Sequence, residues 1–282
     1  MDRKLVFAAA IMSIGMLMIP LGDTAGKLLT EMGLHPLFVA WARYVGGLLF
    51  MVPFAFRRTT FPLFFNWRIW LRSAVQTLTI ASILTALLSE PIANVYGAFF
   101  LGPLVSYLLS VWLLKEQGNR IRLVLLMISL AGVFLVVKPG FGMSSGLGWA
   151  LLSGIFYGCF LTASRWVQPL GHPLDLLIAQ LVIGVILLTP FGMIHLPEAL
   201  PWGLLAWSAA ASLVANLLLV FAYARAGASF LAPFIYVQLV GAMTYGALIF
   251  GTWPDAVAFI GLGIIFVSGF ATLFLRTNRP GA

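Results

Sequence analysis

Gly22-Asp23-Thr24-Ala25-Gly26-Lys27 places charge inside an otherwise apolar run from Leu5 to Leu29. About 20 apolar residues suffice to cross a bilayer. An ionised side chain within such a run costs on the order of 2.5–3.5 kcal/mol, so it pairs or faces a cavity. Asp23 and Lys27 are four apart, which puts them on one helix face. Arg43, in the next apolar run, falls at nearly the depth of Asp23 if the two runs form a hairpin. Asp23, Lys27 and Arg43 are thus candidates for one intramembrane charge cluster, either a structural ion pair or a substrate- or proton-coupling group. The string resembles a phosphate-binding loop only superficially. That motif needs four residues between its glycines and Ser or Thr after the Lys, whereas here three separate Gly22 from Gly26 and Leu28 follows.

The rest of the chain agrees with a membrane setting. Of its 282 residues 62% are hydrophobic and 9% charged, with mean hydropathy +1.05; soluble domains carry about 25% charged residues. The lone Cys159 leaves no intrachain disulfide and no cysteine cluster for a metal. Arg3 and Lys4 precede the first run as in a signal peptide, but the run is long and lacks a clear small-residue cleavage site, so a retained first helix is expected.

Ten spans are predicted, roughly 6–29, 36–56, 71–89, 92–114, 121–138, 147–167, 175–194, 200–224, 228–250 and 255–275. Turn and breaker residues separate them: Gly33 with Pro36, Glu90-Pro91, Pro139-Gly140, Gly171 with Pro173, Pro197 with Pro201, Gly251 with Pro254. Ten spans put both termini on one side. On that side lie Arg3, Lys4, Arg57, Arg58, Arg68, Arg72, Lys115, Arg120, Arg122, Arg165, Arg225, Arg276 and Arg279; on the other lies Lys138 alone. Such bias predicts cytoplasmic termini. It also accounts for the net charge of +8 without a nucleic-acid partner.

The chain also reads as two halves, residues 1–140 and 141–282. Leu114-Lys115-Glu116 and Ala131-Gly132 in the first are echoed by Phe250-Gly251-Thr252 and Ser268-Gly269 in the second, at nearly equal offsets. The prolines Pro103 and Pro233 are out of step with that offset. Two copies of an odd number of spans must insert in opposite senses, the inverted-repeat plan that puts a substrate site near midplane between the halves. The expected fold is therefore an all-α polytopic membrane protein, ten transmembrane helices built from two five-helix inverted repeats.

The Pro103 span with Glu116 downstream, LAGVFLVVKPG at 130–140, and LAPFIYVQLVGAMTYGALIFGTWPD at 231–255 together resemble the EamA-type transporters of the drug/metabolite transporter superfamily. The opening GDTAGKLL with Arg43 downstream is similar to one bacterial subgroup. The resemblance implies a single ten-helix bundle in a bacterial-type inner membrane, with the fifth and tenth helices outside it and a homodimer in some members. It implies small metabolites as substrates (amino acids, vitamins, nucleotide-like cofactors, carboxylates, quaternary amines) and no cofactor. Thr252 stands where the family often has an acidic residue. Glu116 and Thr252 both fall at membrane edges and read as helix-end features.

Counting inward from span ends puts Tyr157, Asn216, Tyr236 and Gln238 near midplane, with Tyr96 in the outer third. Amides in hydrocarbon need partners. Asn216 and Gln238 could join helices or, with the tyrosines, form a polar-tipped substrate pocket; Tyr96 could equally be interfacial. Gly154 and Gly158 read as a helix-packing pair. Pro20, Pro103 and Pro233 read as span interruptions, and Glu90 as solvated. His35, His172 and His195 fall in or near loops without metal-site spacing. The expected function is secondary transport of a zwitterionic or neutral metabolite, by gradient or proton coupling. A receptor or assembly protein, or an intramembrane enzyme, is the alternative.

Overall fold

The computed structural model describes residues 3–55, 61–138, 143–226 and 228–272, and every element in it is helical. Arg57, Arg58, Arg276, Arg279 and the Pro139-Gly140 turn lie outside the described residues. The first three spans are α1 (Arg3–Glu31), α2 (Pro36–Ala55) and α3 (Trp67–Leu87). The fourth is split into α4 (Ile92–Phe99) and α5 (Gly102–Leu113). Then come α6 (Arg120–Val137), α7 (Ser145–Val167), α8 (Pro173–Ile194) and α9 (Trp202–Tyr223). The ninth span is split too: α10 (Ala228–Leu231), a 3-10 turn (Ala232–Tyr236) and α11 (Val237–Phe250) precede α12 (Ala256–Ala271). Among the described residues nine of these spans are long and apolar enough to cross a bilayer, and α12 is a shorter apolar helix.

Span starts follow local chemistry. Asn66, Asn119, Ser144 and Asp255 each accept a backbone N–H in the first turn of α3, α6, α7 and α12, satisfying donors that a helix start leaves open. The third span begins one turn before the sequence pattern places it, because Asn66 caps it ahead of Trp67.

Packing obeys the inverted repeat. α1 lies on α9 and, correspondingly, α7 on α3; α2 faces α8, and α6 faces α12. Gly132 of α6 and Gly261 of α12 approach so closely that a Cβ on either would meet the other's carbonyl oxygen at 2.6–2.7 Å. The most detailed correspondence closes the broken spans. Lys115 and Gly251, at matching positions of the two halves, both adopt left-handed φ, 55° and 63°. The following N–H groups, of Glu116 and Thr252, bond back to Ser110 and Gly246 at 3.2 and 3.1 Å. Both copies thus end this span with the same left-handed C-terminal turn, glycine in one and strained lysine in the other.

The two breaks share a cause. Pro103 has no N–H to give the Phe99 carbonyl, and its ring crowds that turn. Gly154 of α7 makes the neighbouring space: a Cβ there would meet the Phe99 oxygen at 2.8 Å. At Gly158 it would meet the Gly102 oxygen at 2.7 Å, so the pair is a close helix contact built around the break. Pro233 sits in the 3-10 turn of the ninth span. Pro20 behaves differently: α1 runs through it unbroken, and its ring rests on Gly241 of α11.

Candidate functional site

The expected charge cluster divides in two. Arg43 Nη1 donates to Asp23 Oδ1 at 2.6 Å, and Tyr96 Oη donates to Asp23 Oδ2 at 2.7 Å. Arg43 also reaches the Gly22 carbonyl at 3.0 Å and Ser208 Oγ at 3.1 Å. Asp23, Arg43 and Tyr96 are all buried. This network joins α1, α2, α4 and α9 on the side of the membrane opposite the termini. Gly22 and Gly26 give it room, since a Cβ on Gly26 would lie 2.9 Å from Arg43 Nη2. The phosphate-loop lookalike is a helix-packing seam.

Lys27 does not meet Asp23. Its Nζ donates to the carbonyls of Leu87 and Glu90 at 2.7 and 2.9 Å and pairs with Glu31 at 3.7 Å. It caps the end of α3, where a cation complements the helix dipole. Glu90 is a correction to the expectation of solvation. It is buried, and Ser144 Oγ donates to its carboxylate.

On the terminal side the equivalent corner is built differently. Arg72 of α3 donates to Ser164 Oγ of α7 at 2.9 Å and to the Leu176 carbonyl of α8 at 3.3 Å, and lies over the Phe160 ring. The offset that relates Lys115 to Gly251 also relates Arg72 to Ser208. Each corner thus holds one buried arginine, yet among the described residues only the opposite-side corner has a carboxylate for it.

Between the corners, aromatic rings converge on the α4–α5 break. Phe99 touches Tyr96 and Tyr157, with centroids 5.8 and 4.5 Å away. Phe100 stacks on Tyr236 at 4.8 Å and 18°. Three of the expected site residues, Tyr96, Tyr157 and Tyr236, are thus joined through two phenylalanines that a search for polar residues overlooks. Tyr236 lies flat against Gly269, where a Cβ would stand 2.5 Å from the ring. Gln238, two residues on, is buried and its Nε2 has no partner among the described residues. Asn216 is half-buried and donates to the Ser212 carbonyl of its own helix at 2.7 Å; no described contact ties it to the aromatic group.

Two amide oxygens escape the sequence reading. Gln76 Oε1 and Asn94 Oδ1 are buried and unpartnered among the described residues. Gln76 is mid-helix in α3, and only the late placement of that span's start hid it. Tyr157 is half-buried, and Tyr223 is 39% exposed. Arg165 lies within electrostatic reach of Tyr223, and Arg122 within reach of Tyr236. Apolar grooves between α5 and α6 and between α11 and α12 lie away from this centre.

The EamA-like transporter family matches twice, over residues 6–138 and 144–274. The chain belongs to that family. Curated relatives include the riboflavin transporter of Rhizobium johnstonii, 24% identical over 85% of this chain and 80% of that protein. The pseudopaline exporter CntI of Pseudomonas aeruginosa is 26% identical over 74% of this chain and 75% of the relative. A solved crystal structure superposes with a TM-score of 0.67 over 95% of this chain and 98% of that one, at 17% identity, a likeness of fold alone. This member of the EamA-like family is a membrane transporter and not an enzyme: an integral membrane protein that works on a small molecule within a lipid environment.

Proposed function

We propose that this EamA-like transporter is a secondary carrier that moves a small zwitterionic or neutral organic metabolite across a bacterial-type inner membrane by alternating access. The observation that carries this reading is the meeting of the two broken spans at the Phe100–Tyr236 stack. Interrupted helices at corresponding positions of two inverted repeats mark a transporter's binding centre. Tyr157, Tyr236 and Gln238 form the core of the proposed site, with Asn216 at its edge. The half-buried Tyr157 ring presents an aromatic face to a ring or a cation, Tyr236 braces the break behind it, and the free Gln238 amide fixes the substrate's orientation. The substrate is an amino-acid-, vitamin- or nucleoside-like compound. Relatives named for riboflavin and for pseudopaline export support a small-molecule cargo of that breadth.

The Asp23–Arg43–Tyr96 network serves as the closed gate, and the terminal side, which the Lys/Arg bias assigns to the cytoplasm, is the open one. Coupling runs through the substrate gradient. Asp23 is engaged by both Arg43 and Tyr96 within that gate. The test is uptake of radiolabelled amino acids, vitamins and nucleosides by protein-loaded liposomes, with Tyr236→Ala and Gln238→Ala as loss variants. Uptake of one of these compounds that collapses in both variants is expected. Uptake unaffected by either variant moves the site elsewhere, and no uptake at all argues for a receptor or assembly role.

A further inference from the structure

The turn that joins α5 to α6 holds more positive charge than its own residues answer. Lys115, Glu116, Arg120 and Arg122 follow one another there, and the Glu116 carboxylate already accepts from Arg165 Nη1 at 3.2 Å. Lys115 and Arg120 are exposed and meet no acceptor among the described residues. The Arg122 guanidinium lies over the Tyr107 ring, 5.7 Å from its centroid. Lys115, Arg120, Arg122 and Arg165 thus share one carboxylate. The Lys/Arg bias of the terminal side accounts for basic residues in this turn, but not for the groove beneath them.

Below the turn, α5 and α6 part. Gly158 of α7 seats α5 closely, since a Cβ there would stand 2.6 Å from the Val105 Cβ, so α5 leans on α7 and away from α6. The space left is a groove of about 560 Å³, within the range of ligand pockets. Leu108, Val111 and Trp112 of α5 and Leu123 of α6 make its apolar walls, and Gly118 and Arg120 bound its terminal-side end. Tyr107 fixes this geometry. Its ring lines the groove, and its hydroxyl accepts from the Asn119 N–H at 2.8 Å and donates to the Asn119 carbonyl at 3.0 Å. The turn, and Arg120 with it, is thereby held at the mouth. Trp112 is 75% exposed one residue before the end of α5, a level at which tryptophan meets lipid headgroups.

We infer that the α5–α6 groove binds an anionic phospholipid of the terminal-side leaflet, acyl chain against the apolar walls and phosphate at Arg120. Lys115 adds charge from the same turn. Basic pockets between transmembrane helices recur as sites for anionic headgroups. A zwitterionic headgroup carries its own cation and gains less from this turn. A free anion would use the cations and leave the walls empty. The inference rests on the membrane setting of the chain and holds whatever its cargo is.

The test is thermal unfolding of the full chain in detergent, titrated with dioleoylphosphatidylglycerol, dioleoylphosphatidylcholine or glycerophosphate. Phosphatidylglycerol is expected to stabilise wild type at a concentration at least about fivefold below phosphatidylcholine, and glycerophosphate to have no effect. In the Lys115→Asn/Arg120→Gln variant the half-effective phosphatidylglycerol concentration should rise by about fivefold or more, the loss expected for one headgroup-facing cation. Both positions are exposed, and asparagine tolerates the left-handed backbone of Lys115, so the fold is kept. Arg225→Gln removes an exposed cation that lies over Phe7 and Phe221 instead, and should leave the response intact. Native mass spectrometry reads the same comparison directly, as a phosphatidylglycerol adduct retained by wild type and lost from the double variant. Equal responses to the two lipids, or a response undiminished in the double variant, overturn the inference. So does an equal loss in Arg225→Gln, which would make the effect one of overall charge. Stabilisation by glycerophosphate as strong as by phosphatidylglycerol also overturns it, because the ligand would then be a soluble anion.

Discussion

Arg43 and Asp23, on different spans, close to 2.6 Å with side chains only 6% and 3% exposed. Removing one member of a buried pair strands the other's charge, at a cost of roughly 3–5 kcal/mol. Asp23→Asn and Arg43→Gln should therefore each destabilise strongly. Tyr96→Phe, which leaves the pair intact and removes one hydrogen bond to a charged group, should cost about 1.5–3 kcal/mol. The Asp23→Asn/Arg43→Gln double variant should recover part of the single-variant loss. Unfolding in detergent followed by near-UV circular dichroism ranks the four proteins. Additive losses in the double variant would show that the pair is not coupled.

Gln238 makes the opposite prediction. Its Nε2 has no partner among the described residues to lose, and an unsatisfied buried group weakens the fold that holds it. Gln238→Leu should leave thermal stability unchanged or raised while abolishing uptake into liposomes. A loss of stability with uptake retained would make Gln238 structural.

Gly154 and Gly158 admit the broken fourth span to α7. Gly154→Ala would set a methyl 2.8 Å from the Phe99 oxygen, and overpacking of this kind costs about 1–3 kcal/mol. Gly148→Ala, with nothing within 4 Å, should be neutral or slightly stabilising, because alanine favours the helix. Melting temperatures of the two variants should differ in that order.

His35, in the turn before α2, stacks on His195 with ring centroids 3.7 Å apart. Burial, and then the neighbouring His195, push the His35 pKa below its ordinary 6.5. The folded protein therefore binds the proton less readily than the unfolded chain does. The stack's contribution is fully present above about pH 6.5 and is lost as pH falls through the lowered value. His35→Asn keeps an acceptor for the Leu37 N–H, now held by Nδ1 at 3.3 Å, and removes the titration. Melting temperature should fall less between about pH 7.5 and 5 in this variant than in wild type.

Much of this architecture is legible in the chain. Hydropathy and breakers place the ten spans, and the offset shared by Lys115-Glu116 and Gly251-Thr252 finds the duplication. Its physical basis is a left-handed turn repeated in space. The partners of charged groups are not legible in the same way. Spacing put Lys27 beside Asp23, but the carbonyls at the end of α3 offered Lys27 shorter contacts, and Arg43 came from another span. Glu90 beside Pro91 reads as an exposed loop end until Ser144 from the second half covers it. Phe99 and Phe100 escaped because apolar residues in an apolar span carry no contrast. Their importance comes from the break that Pro103 creates between them and α5.

The arginine corners are unequal, one clamped by a carboxylate and the other held by a hydroxyl and a carbonyl. In the alternating-access cycle proposed above, the two resting orientations would then differ in energy, and a difference of about 1.4 kcal/mol would shift their populations tenfold. Unequal occupancy cannot change where transport stops, since that is fixed by the concentrations outside and inside. It would make the half-saturating concentration differ between the two membrane faces. On that cycle, a duplicated scaffold with near-mirror halves would draw its kinetic polarity from Asp23, the carboxylate that among the described residues only one arginine corner has.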